Sequence, residues 1–396
     1  MKTRILNILA VPAVTAASMN AAKYDFVIDG SAYTILPDRE NCVEMSYSNK
    51  ELTSVEVPDH ISVDGKDYTV VSIGEEAFSC RYVTTSVVLP NTIETIGKSA
   101  SNSFPQLRHL KLPESVDSIA IWAFSHTGLR FMVIPDNVRT LAGTMPDCEN
   151  LHTVVLGKGM KTLNGAMFEN SNNIKELYIM SPEPLEIIEG SLPFYKCESE
   201  DAVVYVPAEC LDKYPKRPEG SFNAYVWDGW YKERKYDRSW EFFKEYRPIP
   251  DLFIVIRDEE FTTDVGGEAT LIFETVNYAD VDIYSEKWEY DPEMISMNGD
   301  RFTTLALGET IIRRVAETSS GEFKSHDIKV SVKDFSGVSL PTVDPGQSEP
   351  AERIDAEGAS KYYSIDGIPA GGNPDMLRPG VYIERCGNKT TKFIKR

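Results

Sequence analysis

The chain has 396 residues, 42% of them hydrophobic, with 41 Lys plus Arg against 61 Asp plus Glu and a net charge of -20. That apolar content is enough for packed cores and excludes a disordered chain. So acidic a balance argues against nucleic acid and anionic membrane as partners, because phosphate recognition needs clustered cations.

In chain order, the first element is "MKTRILNILAVPAVTAASMNAA". Lys2 and Arg4 precede an apolar run, Ile5 to Val14, and small residues continue through Ala22. This is the layout of a secretory signal peptide over 1–22, with cleavage expected between Ala17 and Ala22. The run is too short to span a bilayer and no other window comes close, so no transmembrane segment is expected. Residues 23–50 alternate apolar and polar like a hairpin and should cover the first coil of the array that begins near residue 50.

From about residue 50 the chain is periodic. The apolar residue before each Pro, or its stand-in, falls at Val57, Leu89, Leu112, Ile134, Leu156, Ile179 and Val206, in steps of 32, 23, 22, 22, 23 and 27. Near-equal steps flanked by irregular ones are what a stacked array with atypical ends gives. Each unit opens with a short strand, as in "LRHLKL" (107–112) or "LHTVVL" (151–156), and Pro or Gly157 stops it because Pro cannot donate to a ladder. Apolar residues four and seven positions after the anchor then point back inward: Ile93 and Ile96, Val116 and Ile119, Val138 and Leu141, Met160 and Leu163. A small or flexible residue and an aromatic, as in "IGEEAF" and "IAIWAF", complete the coil. One such coil cannot bury its own interior, whereas stacked coils share a continuous core.

The pattern resembles the BspA-type leucine-rich repeats of exported bacterial surface proteins over about 50–210, with Cys80, Cys148 and Asn170 at the family's Cys/Asn turn position. The second repeat departs from it, with "SASNSF" where Ala-Phe is expected, and the repeat after "YIMSPEP" is degraded. The alignment puts Cys80 and Cys148 at equivalent places three coils apart, about 14 Å at the usual inter-strand spacing. A disulfide needs Cα atoms within about 7 Å, so both are expected as free, buried thiols. None of the six cysteines has CxxC spacing, which removes the metal signal.

The repeat domain with its N- and C-terminal caps is assigned to 23–250. Its last stretch carries Tyr225, Trp227, Trp230, Tyr231, Tyr236, Trp240, Phe242 and Phe243, read first as an end cap and second as a sugar-stacking platform. Residues 251–335, with "LFIVIR", "KWEYDP", "LGETII" and "IKVSVKD", resemble bacterial group 2 immunoglobulin-like domains. A Pro/Gly/Ser/Glu linker spans 336–358. Residues 359–396, through "YYSIDG", "LRPGVYI" and "KFIKR", resemble the C-terminal sorting modules of exported Bacteroidota proteins. The expected fold is mainly β: a leucine-rich repeat solenoid with capped ends, an immunoglobulin-like β-sandwich and a small C-terminal β-module.

Chemistry is sparse. The five histidines form no HxH or HExxH arrangement, and there is no GxSxG elbow, phosphate loop or calcium-loop spacing. No catalytic residue, metal or cofactor is therefore expected. The feature that stands out is the outward row of the strands, where Arg108, His109, Lys111, Arg130, Phe131, Lys175 and Tyr178 gather cations and aromatics on one face of an acidic chain. Strand faces of solenoids are their usual binding surfaces. The expectation is a monomeric, exported, non-catalytic protein at the cell surface or outside it, with the periplasm left open. It would adhere to, or recognise, host or bacterial surface proteins or glycans, anionic ones among them. The second expectation is an accessory glycan-binding protein of a polysaccharide-uptake system.

Overall fold

The computed structural model describes residues 24–50, 52–215, 218, 239–258 and 260–334, together with the strand backbones Tyr225–Trp227, Lys232–Arg234, Lys361–Ser364, Pro369–Gly371, Gly380–Cys386 and Lys389–Lys395. The 1–22 segment and the 336–358 linker lie outside the described residues. The described chain is almost wholly β, with two 3-10 turns, Ala208–Cys210 and Trp240–Phe242. It divides into two compact units.

The first unit comprises Met1–Glu259, Leu271–Glu289 and Arg313–Ile328. Its body is a β-solenoid of seven coils, numbered here by the strand that opens each: Ser54–Glu56, Ser86–Val88, His109–Lys111, Phe131–Ile134, Thr153–Leu156, Glu176–Ile179 and Val203–Val206. On this first wall the strands pair in parallel, coils 1 to 3 in one sheet and coils 4 to 7 in another that Glu245–Pro248 extends. A second wall is built from Lys66–Ile73, Thr95–Ile96 and Ser118–Ile119, and then from Thr140–Ala142, Thr162–Asn164 and Glu186–Ile187. The single continuous ladder implied by the repeat is thus interrupted, and both walls break at the same place, between coils 3 and 4. There the coils stay joined along the third wall, where Trp122, Phe124 and His126 donate backbone N–H bonds to the carbonyls of Gly143, Thr144 and Pro146 at 2.9, 3.0 and 3.1 Å.

The repeat's chemistry explains each corner. After the strand, Pro90, Pro113 and Pro135 end the ladder, and each carbonyl then accepts the N–H three residues on, from Ile93, Val116 and Val138 at 3.2, 3.0 and 3.2 Å. Gly157 makes the same turn to Met160, and Gly is required there because a Cβ would lie 2.6 Å from the Pro135 backbone of the coil before it. The third wall turns through two left-handed residues per coil: Glu76 and Cys80, Ser99 and Ser103, Trp122 and His126, Gly143 and Asp147, Gly165 and Asn170, Gly190 and Lys196. Glycine takes the first of these positions in coils 4 to 6, where it costs nothing sterically. In coil 3 Trp122 takes it at φ 59°, a conformation that costs an ordinary L-residue roughly 1–2 kcal/mol.

Apart from the half-buried anchor Leu89, the anchors and the four- and seven-position residues are inside as the spacing requires: Ile93, Ile96, Val116, Ile119, Val138, Leu141, Met160 and Leu163 are all buried. They belong to one core that runs from Tyr33 to Phe243. At about 1.5–3 kcal/mol for each fully buried large apolar side chain, this stacking is the main stabilising term.

The residue after the second left-handed position also faces inward, forming a column Arg81, Phe104, Thr127, Cys148, Ser171 and Cys197, each at most 3% exposed. This corrects the cysteine alignment. Cys148 stands in the column, whereas Cys80 stands one place earlier, at the repeat position that Asp147 and Asn170 hold in coils 4 and 5, and is exposed. A one-residue slip turns the side chain from interior to solvent. Both thiols are free. Cys148 donates to the Phe124 carbonyl at 3.1 Å, and burial pushes its thiol up from the ordinary range.

At the N-terminal end, Phe26–Ile28, Ser31–Ile35 and Cys42–Tyr47 form an antiparallel meander whose last strand pairs in parallel with Lys66–Ile73 of coil 1. At the other end Phe194, Trp240, Phe242 and Phe243 close the core, with Phe194 lying 4.8, 5.0 and 5.6 Å from the rings of Phe242, Phe243 and Trp240. Trp240 Nε1 donates to the Leu185 carbonyl at 2.8 Å. The unit also holds strands Leu252–Ile256 and Phe273–Asn277, paired antiparallel.

The second unit comprises Glu260–Thr270, Tyr290–Ile312 and Lys329–Arg396. It contains a three-stranded antiparallel sheet with Arg301–Thr304 between Glu268–Thr270 and Ile295–Asn298, and a parallel pairing of Glu260–Thr263 with residues 329–332. It also holds a four-stranded antiparallel sheet of Lys361–Ser364, Pro369–Gly371, Gly380–Cys386 and Lys389–Lys395.

Candidate functional site

The first-wall strands present their alternate residues outward, so their exposed face is set residue by residue by the repeat. In coils 1 to 3 that row is polar or open: Ser54, Glu56, Ser86 and Lys111, with Val88 51% exposed. In coils 4 to 7 it is mostly apolar, with Phe131, Val133, Val155, Tyr178 and Tyr205, and only Thr153 and Glu176 are polar on the strands of coils 5 and 6. The chain covers the apolar half itself. Ile249, Phe253 and Val255, backed by Ile272, Val276 and Tyr278, pack onto these side chains in a second core. Tyr178 is held between two rings, with Phe253 at 4.0 Å and Tyr205 at 4.4 Å, each within 7° of parallel. Desolvation in this stack pushes the Tyr178 phenol up.

The expected site residues therefore separate. Phe131 and Tyr178 are buried, 4% and 6% exposed, and serve as packing for the covering strands instead of as a surface. The reason is that Leu252–Ile256 needs an apolar partner on each of its faces. Arg108 is half-buried at the break between coils 3 and 4, where its Nη1 donates to the carbonyls of Pro105 and Gly128, both at 3.1 Å. It fastens coil 3 to coil 4 on the wall that lacks ladder bonds. Lys111 is exposed and reaches Glu274 of the covering strand at 3.8 Å. Burial pushes the Glu274 carboxyl up to about 7, with Lys111 opposing the rise and Glu114 adding to it. Arg130 is half-exposed and Lys175 exposed. His109 lies in the coil 3 strand, and its side chain is outside the described residues.

Of the aromatics weighed as a sugar platform, Trp240, Phe242 and Phe243 are buried in the end cap and offer no face to a ligand. The side chains of Tyr225, Trp227, Trp230, Tyr231 and Tyr236 lie outside the described residues. One residue that sequence reasoning missed is Arg81, 1% exposed in coil 1. Its Nη1 donates to the Asn49 carbonyl at 2.6 Å, its Nη2 donates to the Ser48 carbonyl, and the guanidinium lies 5.6 Å from the Phe78 ring centre. Burial lowers its pKa to about 10. The signal for it was positional, since Arg81 directly follows the left-handed Cys80, where every other coil turns inward. Among the described residues no three His, Cys, Asp or Glu side chains gather as a metal-binding group, and no helix is long and apolar enough to cross a membrane.

The family described as "BspA type Leucine rich repeat region" matches residues 71–200 in six copies. Among solved structures, the chain is similar to a leucine-rich repeat protein from Bacteroides ovatus, at 22% identity over 46% of this chain and 59% of that one, with a TM-score of 0.33. It is similar to a leucine rich cell surface protein from Faecalibacterium prausnitzii, at 19% identity over 46% of this chain and 54% of that one, with a TM-score of 0.35. A leucine rich repeat protein from T. pallidum gives 19% identity over 43% of this chain and 87% of that one, with a TM-score of 0.36. The chain thus spans between half and two thirds of the first two structures. No curated protein matches. Leucine-rich repeat arrays are typically non-catalytic binding scaffolds, and residues 71–200 of this chain, folded as stacked β-coils, match six copies of the BspA-type leucine-rich repeat.

Proposed function

We propose that this is an exported, non-catalytic recognition protein whose repeat array engages a macromolecule at the bacterial cell surface, in adhesion or in capture of a protein or glycan. The observation that carries the reading is the division of the strand face: one half is sealed by the chain's own strands and the other half is left open and polar. A face kept open beside a sealed one is a surface available to a partner. The match of residues 71–200 to a repeat family of binding scaffolds, and a similar structure named as a cell surface protein, support export and binding. In this reading 1–22 is the signal peptide, 23–250 the capped recognition array, 251–335 an immunoglobulin-like module whose strands Leu252–Ile256 and Phe273–Asn277 also cover the array, 336–358 a linker and 359–396 a sorting module. The protein would act as a monomer, and Arg108, Lys111 and Arg130 mark the cationic border of the open surface.

The test is a glycan array and an extracellular-matrix panel probed with the mature chain. Capture of an acidic partner that is lost near 1 M salt, where the screening length falls to about 3 Å, is the expected result. Capture indifferent to salt would remove the anionic preference, and no capture at all would remove the recognition reading.

A further inference from the structure

Arg257 ends the covering strand, one residue beyond Ile256, and its backbone N–H donates to the Ile272 carbonyl at 2.9 Å. The covering strands cross the solenoid from coil 6, where Phe253 meets Tyr178, to coil 3, where Glu274, opposite Val255, meets Lys111. Arg257 is therefore delivered to the border of the cover, beside coil 3. Arg108 occupies that border, with its guanidinium bonded to the Gly128 carbonyl, and Arg130 lies two residues beyond Gly128 at the start of coil 4. The charges of Arg130 and Arg257 both act on Arg108, and burial together with these two cations lowers its pKa. The charges of three guanidinium groups thus bear on this border, with Asp258 the carboxylate that pairs with Arg257, at 2.6 Å from Nε and 2.5 Å from Nη2. Like charges brought together at partial burial raise the energy of the empty site and lower it when an anion binds.

We propose that Arg108, Arg130 and Arg257 form an oxyanion-binding site at the edge of the covered strand face, taking the carboxylate, sulfate or phosphate groups of an acidic polysaccharide. This rests on the recognition reading above and specifies its ligand. Guanidinium forks match such groups through paired N–H donors. A polysaccharide fits better than a protein because Phe131 and Tyr178, the aromatic anchors that a protein interface would use, are taken up under the cover. On the adjoining coils the open surface offers hydroxyls, Ser54 and Ser86 lying 2.9 Å apart. A chain of net charge -20 repels polyanions at long range, so the site acts at contact distance and its occupancy depends on these three residues.

The experiment is calorimetric titration of the mature chain with dextran sulfate and with polygalacturonate oligomers, neutral dextran and inorganic phosphate serving as further arms. At least one acidic polymer should bind and neutral dextran should not. The sulfate, carboxylate and phosphate arms identify which oxyanion is preferred. Arg130→Gln with Arg257→Gln should weaken binding at least about tenfold, while Lys66→Gln with Lys213→Gln, an equal loss of charge elsewhere on the solenoid, should leave it unchanged. Equal weakening by both pairs, or no binding of any acidic polymer, overturns the site. If Arg257→Gln lowers the melting temperature, Arg130→Gln alone carries the comparison. Matrix-panel capture that persists in the arginine variants, or that is confined to an acidic protein, removes this site and leaves the recognition reading standing. Absence of capture by the unaltered chain removes both.

Discussion

Coils 1 to 3 and coils 4 to 7 are built on the same repeat, yet they treat the outside of their strands in opposite ways. The inward residues are interchangeable between them: Leu110 and Val87 sit in the core as Val154 and Leu177 do. The outward residues are not. Ser, Glu and Lys in the first block leave the strand face wet, whereas Phe131, Val155 and Tyr178 in the second demand a cover and receive one from residues 249–278. The inward pattern makes a solenoid, and the outward pattern decides which part of it remains a surface.

The comparison breaks most severely if the cover is loosened. Phe253→Ala removes a ring stacked on Tyr178 and leaves a cavity between the two layers, so a loss of about 3–5 kcal/mol is expected. Chemical denaturation should show it, with the covered half binding a hydrophobic dye before the array as a whole unfolds. An unchanged midpoint would show that the cover contributes nothing.

Acidity sharpens the comparison at the border. Because Glu274 is raised in the folded state to about 7, the folded chain holds a proton that the unfolded chain releases near the ordinary 4.5. Stability therefore falls as pH climbs between those values and levels off above 7. The total is on the order of 3 kcal/mol. Glu274→Gln should flatten that slope and raise the melting temperature at pH 8, and a slope unaltered by the substitution would assign it to other groups.

The smallest expected effect is at Arg108. Removing its guanidinium as Arg108→Ala leaves the Pro105 and Gly128 carbonyls without that donor and should cost about 1–2 kcal/mol, read from the melting temperature.

The array was legible because its signal is periodic: Ile93, Val116, Val138 and Met160 recur at fixed distances from an anchor, and each landed inside. Degraded repeats obeyed the same economy of volume. In coil 2 Ser101 stands where other coils place an aromatic, and Phe104, three residues on, fills the interior instead. The cover was missed although a cue existed. Leu252 to Ile256 are five consecutive apolar residues, all buried, and a run without polar alternation signals a strand packed on both faces. Taken as one edge of a separate sandwich, it concealed that Phe131 and Tyr178 already had partners. The fastening role of Arg108 was hidden for a related reason, since its charge is visible in a sequence and the carbonyls it satisfies are not.

The coincident interruption of two walls between coils 3 and 4 has a consequence for how the array comes apart. In a linear stack each unit is steadied by its neighbours alone, so resistance to opening is set by the weakest junction and not by the average. Among the described residues that junction keeps the third-wall row of backbone bonds without either sheet ladder, and the side chains of Arg108 and Asn137 bridge part of the gap. The solenoid is therefore two cooperative blocks with a seam between them, and the seam runs beside the border where a bound anion would clasp both blocks at once.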